Sequence, residues 1–93
     1  MAMLKTKDVS ASLCRKGFVE RVEKHHKYYF LYCDGIKTTI KTYISHGDKE
    51  VGDYLQGQMA KQTKLVKKDF VRLVECELSG EDYVRLLRGS RYL

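Results

Sequence analysis

The chain is 93 residues long and carries 18 Lys and Arg against 12 Asp and Glu, a formal net charge of +6. A chain of this length buries about 60–65% of its unfolded surface, enough for one domain and too little for a large cofactor-binding or two-domain architecture. With 43% hydrophobic and 32% charged residues and no Pro it has the composition of a folded protein, and its positive excess favours an anionic partner, most often nucleic acid.

The opening residues Met1-Ala2-Met3-Leu4-Lys5-Thr6-Lys7-Asp8 are too poor in apolar side chains for a signal peptide, and no stretch approaches the roughly 20 apolar residues of a membrane span. Cys14, Cys33 and Cys76 are odd in number, widely spaced and without a CxxC pair. Reduced thiols and a cytoplasmic location, without a membrane partner, are the expectation. Between Lys7 and Lys16, Val9, Leu13 and Cys14 recur at helical spacing, with Thr6 as N-cap, Asp8 in the first turn and Gly17 placed to end the helix. Phe18 to Glu23 reads as a strand.

The next segment is the clearest. Lys27 to Cys33 and Ile36 to Tyr43 are β-prone runs joined by Asp34-Gly35, which suits a type I′ turn because Gly takes positive φ without steric cost. A two-residue loop pairs Cys33 with Ile36, Leu31 with Thr38, Tyr29 with Ile40 and Lys27 with Thr42. One face then carries Tyr29, Leu31, Cys33, Ile36 and Ile40 toward the core. The other carries His26, Tyr28, Phe30 and Tyr32 beside Lys37, Thr39, Lys41 and Tyr43, and a single bulge would exchange the faces beyond it.

After Ser45 the period turns helical at Val51, Tyr54, Leu55 and Met59, with Gly52 and Gly57 each weakening that helix by roughly 1 kcal/mol relative to Ala. Val66, Phe70, Leu73 and Val74 mark a further helix, and Ser79 with Asp82 caps a last one holding Tyr83, Leu86 and Leu87. The order expected is αβββα followed by a helical extension.

Two features carry chemistry. His25 and His26 open the second strand, and the hairpin returns the chain so that one of them lies near Tyr43 to Ser45 and close to His46. A zinc site drawn from His25, His26, His46 and Cys33 is disfavoured, since adjacent strand residues point to opposite faces and Cys33 is at the far end of the hairpin. The second feature is basic charge: Lys37, Lys41, Lys49, Lys61, Lys64, Lys67 and Lys68 stand against Asp48, Glu50 and Asp53. Lysines interleaved with Tyr and Phe on an open sheet face suit phosphate neutralisation and base stacking.

Taken in order, Arg15-Lys16-Gly17-Phe18, His25-His26-Lys27-Tyr28, Asp34-Gly35, His46-Gly47-Asp48-Lys49-Glu50-Val51 and Met59-Ala60-Lys61-Gln62-Thr63-Lys64-Leu65 through Asp69-Phe70 resemble the HicA toxins of HicA/HicB toxin–antitoxin systems. The resemblance runs from Lys5 to about Phe70. It implies an α+β, double-stranded-RNA-binding-like fold, with a three-stranded antiparallel sheet covered by helices on one face. Residues 1–70 would form the RNA-binding nuclease domain, and 71–93 a helical extension packed on it. It further implies mRNA cleavage with neither metal nor cofactor, and a HicB-like antitoxin as protein partner. The family's working histidine corresponds to His25, preceded here by Glu23 and Lys24 where the family has a small pair.

On that reading His25 is the general base and His26 the alternative, taking a proton from a ribose 2′-OH, with Lys27 or Lys41 stabilising phosphorane charge. Lys27, Tyr28, Lys37, Lys41, His46 and Lys49 are the expected RNA contacts. Two rival readings use the same surface: a non-catalytic nucleic-acid-binding module, and a protein-interaction domain whose charge serves solubility.

Overall fold

The first helix is set by its burial pattern and its two ends. The computed structural model describes residues 3–45, 47 and 49–93. Helix α1 (Thr6–Arg15) buries Val9, Ser12 and Leu13, with Asp8 in its first turn and Arg15 in its last, each complementing the helix dipole. Gly17 follows with φ +103°, and a Cβ there would sit 3.4 Å from both Leu31 Cδ1 and the Tyr32 carbonyl oxygen. The Tyr32 N–H donates to the Gly17 oxygen at 3.0 Å, so this glycine ends α1 and lets the sheet approach its backbone.

Thr6 is not the cap expected of it. The N-cap is Lys5, and Thr6 is the first helical residue, with its N–H donating to the Lys49 oxygen at 3.0 Å. The reason is a short strand, β1 (Leu4–Lys5), which pairs antiparallel with β5 (Glu50–Val51) and carries the chain into α1 in extended conformation. Leu4 faces Val51 across this pair, and both are buried.

The main sheet runs β2-β3-β4, all antiparallel, from β2 (Phe18–Val22), β3 (His26–Cys33) and β4 (Ile36–Ser45). Asp34 and Gly35 both take positive φ (53° and 78°), and Cys33 pairs with Ile36 as the turn requires. Beyond Tyr32 and Lys37 the register shifts. Tyr29 faces Thr42, not Ile40, and Lys27 faces Ile44, not Thr42, because β4 holds two more residues than β3 between these pairings. The Thr38 hydroxyl fills the irregularity, donating to the Leu31 oxygen at 2.8 Å and accepting from the Ile40 N–H at 3.2 Å.

A slip of two residues preserves side-chain parity where a slip of one would exchange the faces. Phe18, Tyr29, Leu31, Ile40, Thr42 and Ile44 are therefore buried, and the alternate positions stay open. The core face ends before the turn: Ile36 is 71% exposed and Cys33 only half-buried.

Helix α2 (Asp53–Gln62) starts later than the spacing suggests. Val51 belongs to β5, Gly52 is an extended N-cap, and Tyr54 is 78% exposed. The buried side chains of α2 are Gln56, Met59 and Ala60, and Gln56 Nε2 donates to the Val51 oxygen at 2.9 Å. Among the described residues nothing beyond its own helix turn lies within 4 Å of a Cβ built on Gly57, so no close contact there calls for a glycine. Helix α3 (Lys67–Val74) buries Phe70, Leu73 and Val74, while Val66 is its exposed N-cap. Helix α4 (Gly80–Gly89) is capped by Ser79 Oγ, which accepts from the Asp82 N–H at 3.0 Å.

All these elements share one core. The apolar cluster extends from Leu4 and Val9 through Phe18, Tyr29 and Ile44 to Phe70, Tyr83 and Leu87. Tyr83 stacks on Phe18 with centroids 5.9 Å apart, and its hydroxyl donates to the Thr63 oxygen at 2.7 Å. The architecture is α+β: a three-stranded antiparallel sheet with the helices packed on one face. Among the described residues no helix is long and apolar enough to cross a membrane.

Candidate nucleic-acid interface

Strand alternation fixes what the uncovered face of the sheet presents. Along β3 the rings of His26, Tyr28 and Phe30 form a row, with centroids 5.9 Å and 6.1 Å apart. From β4, Tyr43 lies opposite Tyr28 with their centroids at 5.7 Å, and it meets the His26 ring edge-on at 5.2 Å. Lys37 Nζ stands 4.1 Å from the Phe30 centroid, and Lys41 is the cross-strand partner of Phe30. Strand β2 contributes Val19 opposite Phe30 and Arg21 opposite Tyr28. The face is thus a platform of π-surfaces edged by cations, suited to stacking bases and neutralising phosphates.

The opposite side of β3, at the same end, opens into a second basic surface. A cleft of ≈ 840 Å³ is lined by Lys5, Thr6, Lys7, Ser10, Cys14, Glu20, Lys27, Lys49 and Glu50. Glu20 Oε2 accepts from the Tyr29 hydroxyl at 2.8 Å and from Ser10 Oγ at 2.9 Å. These two bonds hold the Glu20 carboxyl below its ordinary range, and the Lys27 charge acts in the same direction. Burial pushes the Tyr29 hydroxyl up to about 12, and burial with the nearby Glu20 charge raises the Cys14 thiol.

The candidate residues divide between these surfaces. His26, Tyr28, Lys37 and Lys41 share the open face; Lys27 and Lys49 line the cleft behind it. His26 pairs with Ser45, which brings the start of β3 beside the end of β4. His25 does not open the strand. It lies with Lys24 in the turn between β2 and β3, where the Glu23 N–H donates to the His26 oxygen at 2.8 Å, and it is exposed. The contact expected of His46 lies outside the described residues. Cys33 is at the far end of the hairpin, 3.5 Å from Arg88 Nη2. Among the described residues no group of His, Cys, Asp and Glu is arranged to hold a metal ion.

Val19 and Arg21 were not anticipated on the open face, although alternation from the buried Phe18 points them there. Lys5 and Lys7 were not anticipated beside Lys27, and nothing local in the sequence joins segments so far apart. No protein-family model, curated protein or solved structure matches the chain.

Proposed function

We propose that this protein is an RNA-binding, metal-independent endoribonuclease that acts on mRNA in the cytoplasm, with the open face of the sheet as its substrate platform. The observation that carries the reading is the row His26, Tyr28 and Phe30 with Tyr43, edged by Lys37 and Lys41 on a face that no helix covers. Unpaired bases stack on such a row, whereas a duplex keeps its bases out of reach. Apart from the two-residue strands β1 and β5, the order α1, β2, β3, β4, α2 supports the double-stranded-RNA-binding-like fold that the HicA resemblance implies. On the same resemblance the protein is the toxin of a HicA/HicB-type pair, held inactive by a HicB-like antitoxin.

The chemistry needs one imidazole. A neutral histidine takes the 2′-OH proton, the O2′ oxygen attacks the adjacent phosphorus, and the P–O5′ bond breaks. The leaving oxygen takes a proton from water and the imidazolium returns its own to solvent, which leaves a 2′,3′-cyclic phosphate and a 5′-hydroxyl. Geometry favours His26 over His25 for this role. His26 is held against the rings of Tyr28 and Tyr43, where a stacked nucleotide would present its ribose, while His25 stands exposed on the turn.

The test is cleavage of a labelled single-stranded oligoribonucleotide in the presence of EDTA. Wild type is expected to give cyclic-phosphate ends, and His26→Ala to lose about 10²–10⁴ in rate, a larger factor than the RNA affinity it loses with its ring. Undiminished cleavage by both His25→Ala and His26→Ala proteins overturns the mechanism. Salt-dependent binding without cleavage by wild type would instead make the face a non-catalytic RNA-binding platform.

A further inference from the structure

Cleavage on the open face calls for a cation beside its general base, and neither lysine that the sequence suggested stands there. Lys27 lines the cleft on the opposite side of β3. Lys41 is on the right face but pairs with Phe30. At about 3.4 Å per residue, that puts it roughly 13 Å along the strand from His26, level with a neighbouring nucleotide.

Arg21 is closer. It comes from β2, reaches the open face by alternation from the buried Phe18, and pairs with Tyr28, whose ring lies next to His26. Beyond it the chain turns, and the Glu23 N–H donates to the His26 oxygen at 2.8 Å, so Glu23 stands opposite His26. Arg21 Nε is 3.2 Å from Glu23 Oε1, an ion pair between alternate residues that sets both side chains on the face of the ring row. Both are at least half exposed, so the pair adds little to stability. Its effect is to keep the guanidinium at the His26 end of the face. The contact falls on Nε, and among the described residues the two terminal nitrogens of Arg21 have no hydrogen-bond partner.

We propose that Arg21 is a catalytic residue, the cation that takes the non-bridging oxygens of the reacting phosphate, and that Glu23 is its positioning residue. The inference rests on the RNA-cleaving reading and supplies the cation that His26 needs beside it. As O2′ bonds to phosphorus, negative charge gathers on those two oxygens. The paired terminal nitrogens of a guanidinium meet them as a fork, where an ammonium offers a single point of charge. Glu23 acts only through Arg21: by holding Nε it leaves the fork free for the phosphate of a nucleotide whose ribose lies against His26.

Two strands of one sequence separate binding from cleavage: a single-stranded oligoribonucleotide, and its 2′-deoxy analogue, which lacks the attacking hydroxyl. Arg21→Gln is expected to lose about 10²–10³ in kcat, with Arg21→Lys recovering part of it. Affinity for the analogue should fall by a smaller factor, and the slope of log affinity against log salt should drop by about 0.7. Glu23→Gln should lower kcat about tenfold with KM no higher than wild type, since it frees the guanidinium without removing a contact to the strand. Melting temperatures close to wild type would show that none of these losses comes from unfolding. Wild-type kcat in Arg21→Gln, or an equal loss in Lys24→Gln, which removes the same charge from the adjacent turn, overturns the assignment of Arg21. Wild-type kcat in Glu23→Gln overturns that of Glu23. If the wild-type protein binds the analogue and leaves the oligoribonucleotide intact, the cleaving reading itself falls and takes the catalytic role of Arg21 with it, an outcome distinct from an Arg21→Gln protein that cuts as wild type does.

Discussion

Tyr29 shows how one side chain links the core to a polar surface. Its ring is fully buried under the helices, yet its hydroxyl reaches the cleft wall and donates to Glu20, which also accepts from Ser10 of α1. Because these bonds favour the carboxylate, folding lowers the Glu20 pKa. The stability it contributes is complete above its ordinary value of 4.5 and is lost as the pH falls through the lowered one. Tyr29 acts at the other end of the scale: its folded pKa of about 12 lies above the ordinary 10, so its contribution is lost as the pH rises from 10 toward 12. Tyr29→Phe keeps the ring and removes the donor, with an expected cost of about 1 kcal/mol at neutral pH, since Glu20 is well solvated. Urea unfolding of both proteins at neutral pH and at about pH 3 checks this: the difference should shrink in acid, and an equal difference at both would contradict it. The histidines and lysines of the candidate site were legible as residue types because few other side chains carry that chemistry. Their placement was legible only where alternation decides it. His26, Tyr28, Lys37 and Lys41 follow from strand parity, whereas His25 depends on where β3 begins, which the two-residue turn at Lys24 and His25 sets.

At the scale of elements, the β3–β4 hairpin separates what local chemistry dictates from what packing decides. Asp34-Gly35 specifies its turn through backbone sterics alone, so the pairing of Cys33 with Ile36 was readable in the sequence. The two-residue irregularity further along was not, because it depends on how Ile40, Thr42 and Ile44 seat against the helices. The same holds for β1 and β5, two residues each and too short to show a period, and for Val51, whose apolar side chain fits a helix and a buried strand equally well. The capping pair Ser79 and Asp82 was readable, since it needs only its own spacing. Thr38 is what makes the irregular register stable. Thr38→Val leaves the Leu31 oxygen and the Ile40 N–H without this partner, and the expected loss is about 1–2 kcal/mol. Hydrogen exchange at the Ile40 amide should accelerate, while α4, which does not contain this hairpin, keeps its protection. Unchanged exchange at Ile40 would show that the hydroxyl does not hold the register.

Over the whole molecule, the C-terminal segment and the sheet depend on each other. Ser12 Oγ of α1 donates to the Val74 oxygen at 2.6 Å, and Lys16 Nζ donates to the Leu78 oxygen at 2.7 Å, so the two ends of the chain are joined by side-chain to backbone bonds. Gly80 lies so close to α1 that a Cβ would come within 3.3 Å of Lys16 Cα, which brings α4 down onto Phe18 through Tyr83. Tyr83 and Leu87 are almost fully buried, and burying such side chains contributes about 1.5–3 kcal/mol each. With the Tyr83 hydrogen bond and the exposure of Phe18, removal of α4 costs roughly 5 kcal/mol or more, comparable to the whole stability of a domain this small. A chain ending at Ser79 should therefore lose cooperative unfolding and amide dispersion across β2 and α1, not only near the cut. The milder Leu86→Ser, on the exposed side of the same helix, should unfold close to wild type. If the shortened chain keeps a dispersed spectrum and a sharp urea transition, α4 is an appendage and the sheet with α1, α2 and α3 is self-sufficient. If it does not, the ring row on the open face persists only while α4 holds Phe18 from behind, and the RNA binding proposed for that face should disappear together with the fold.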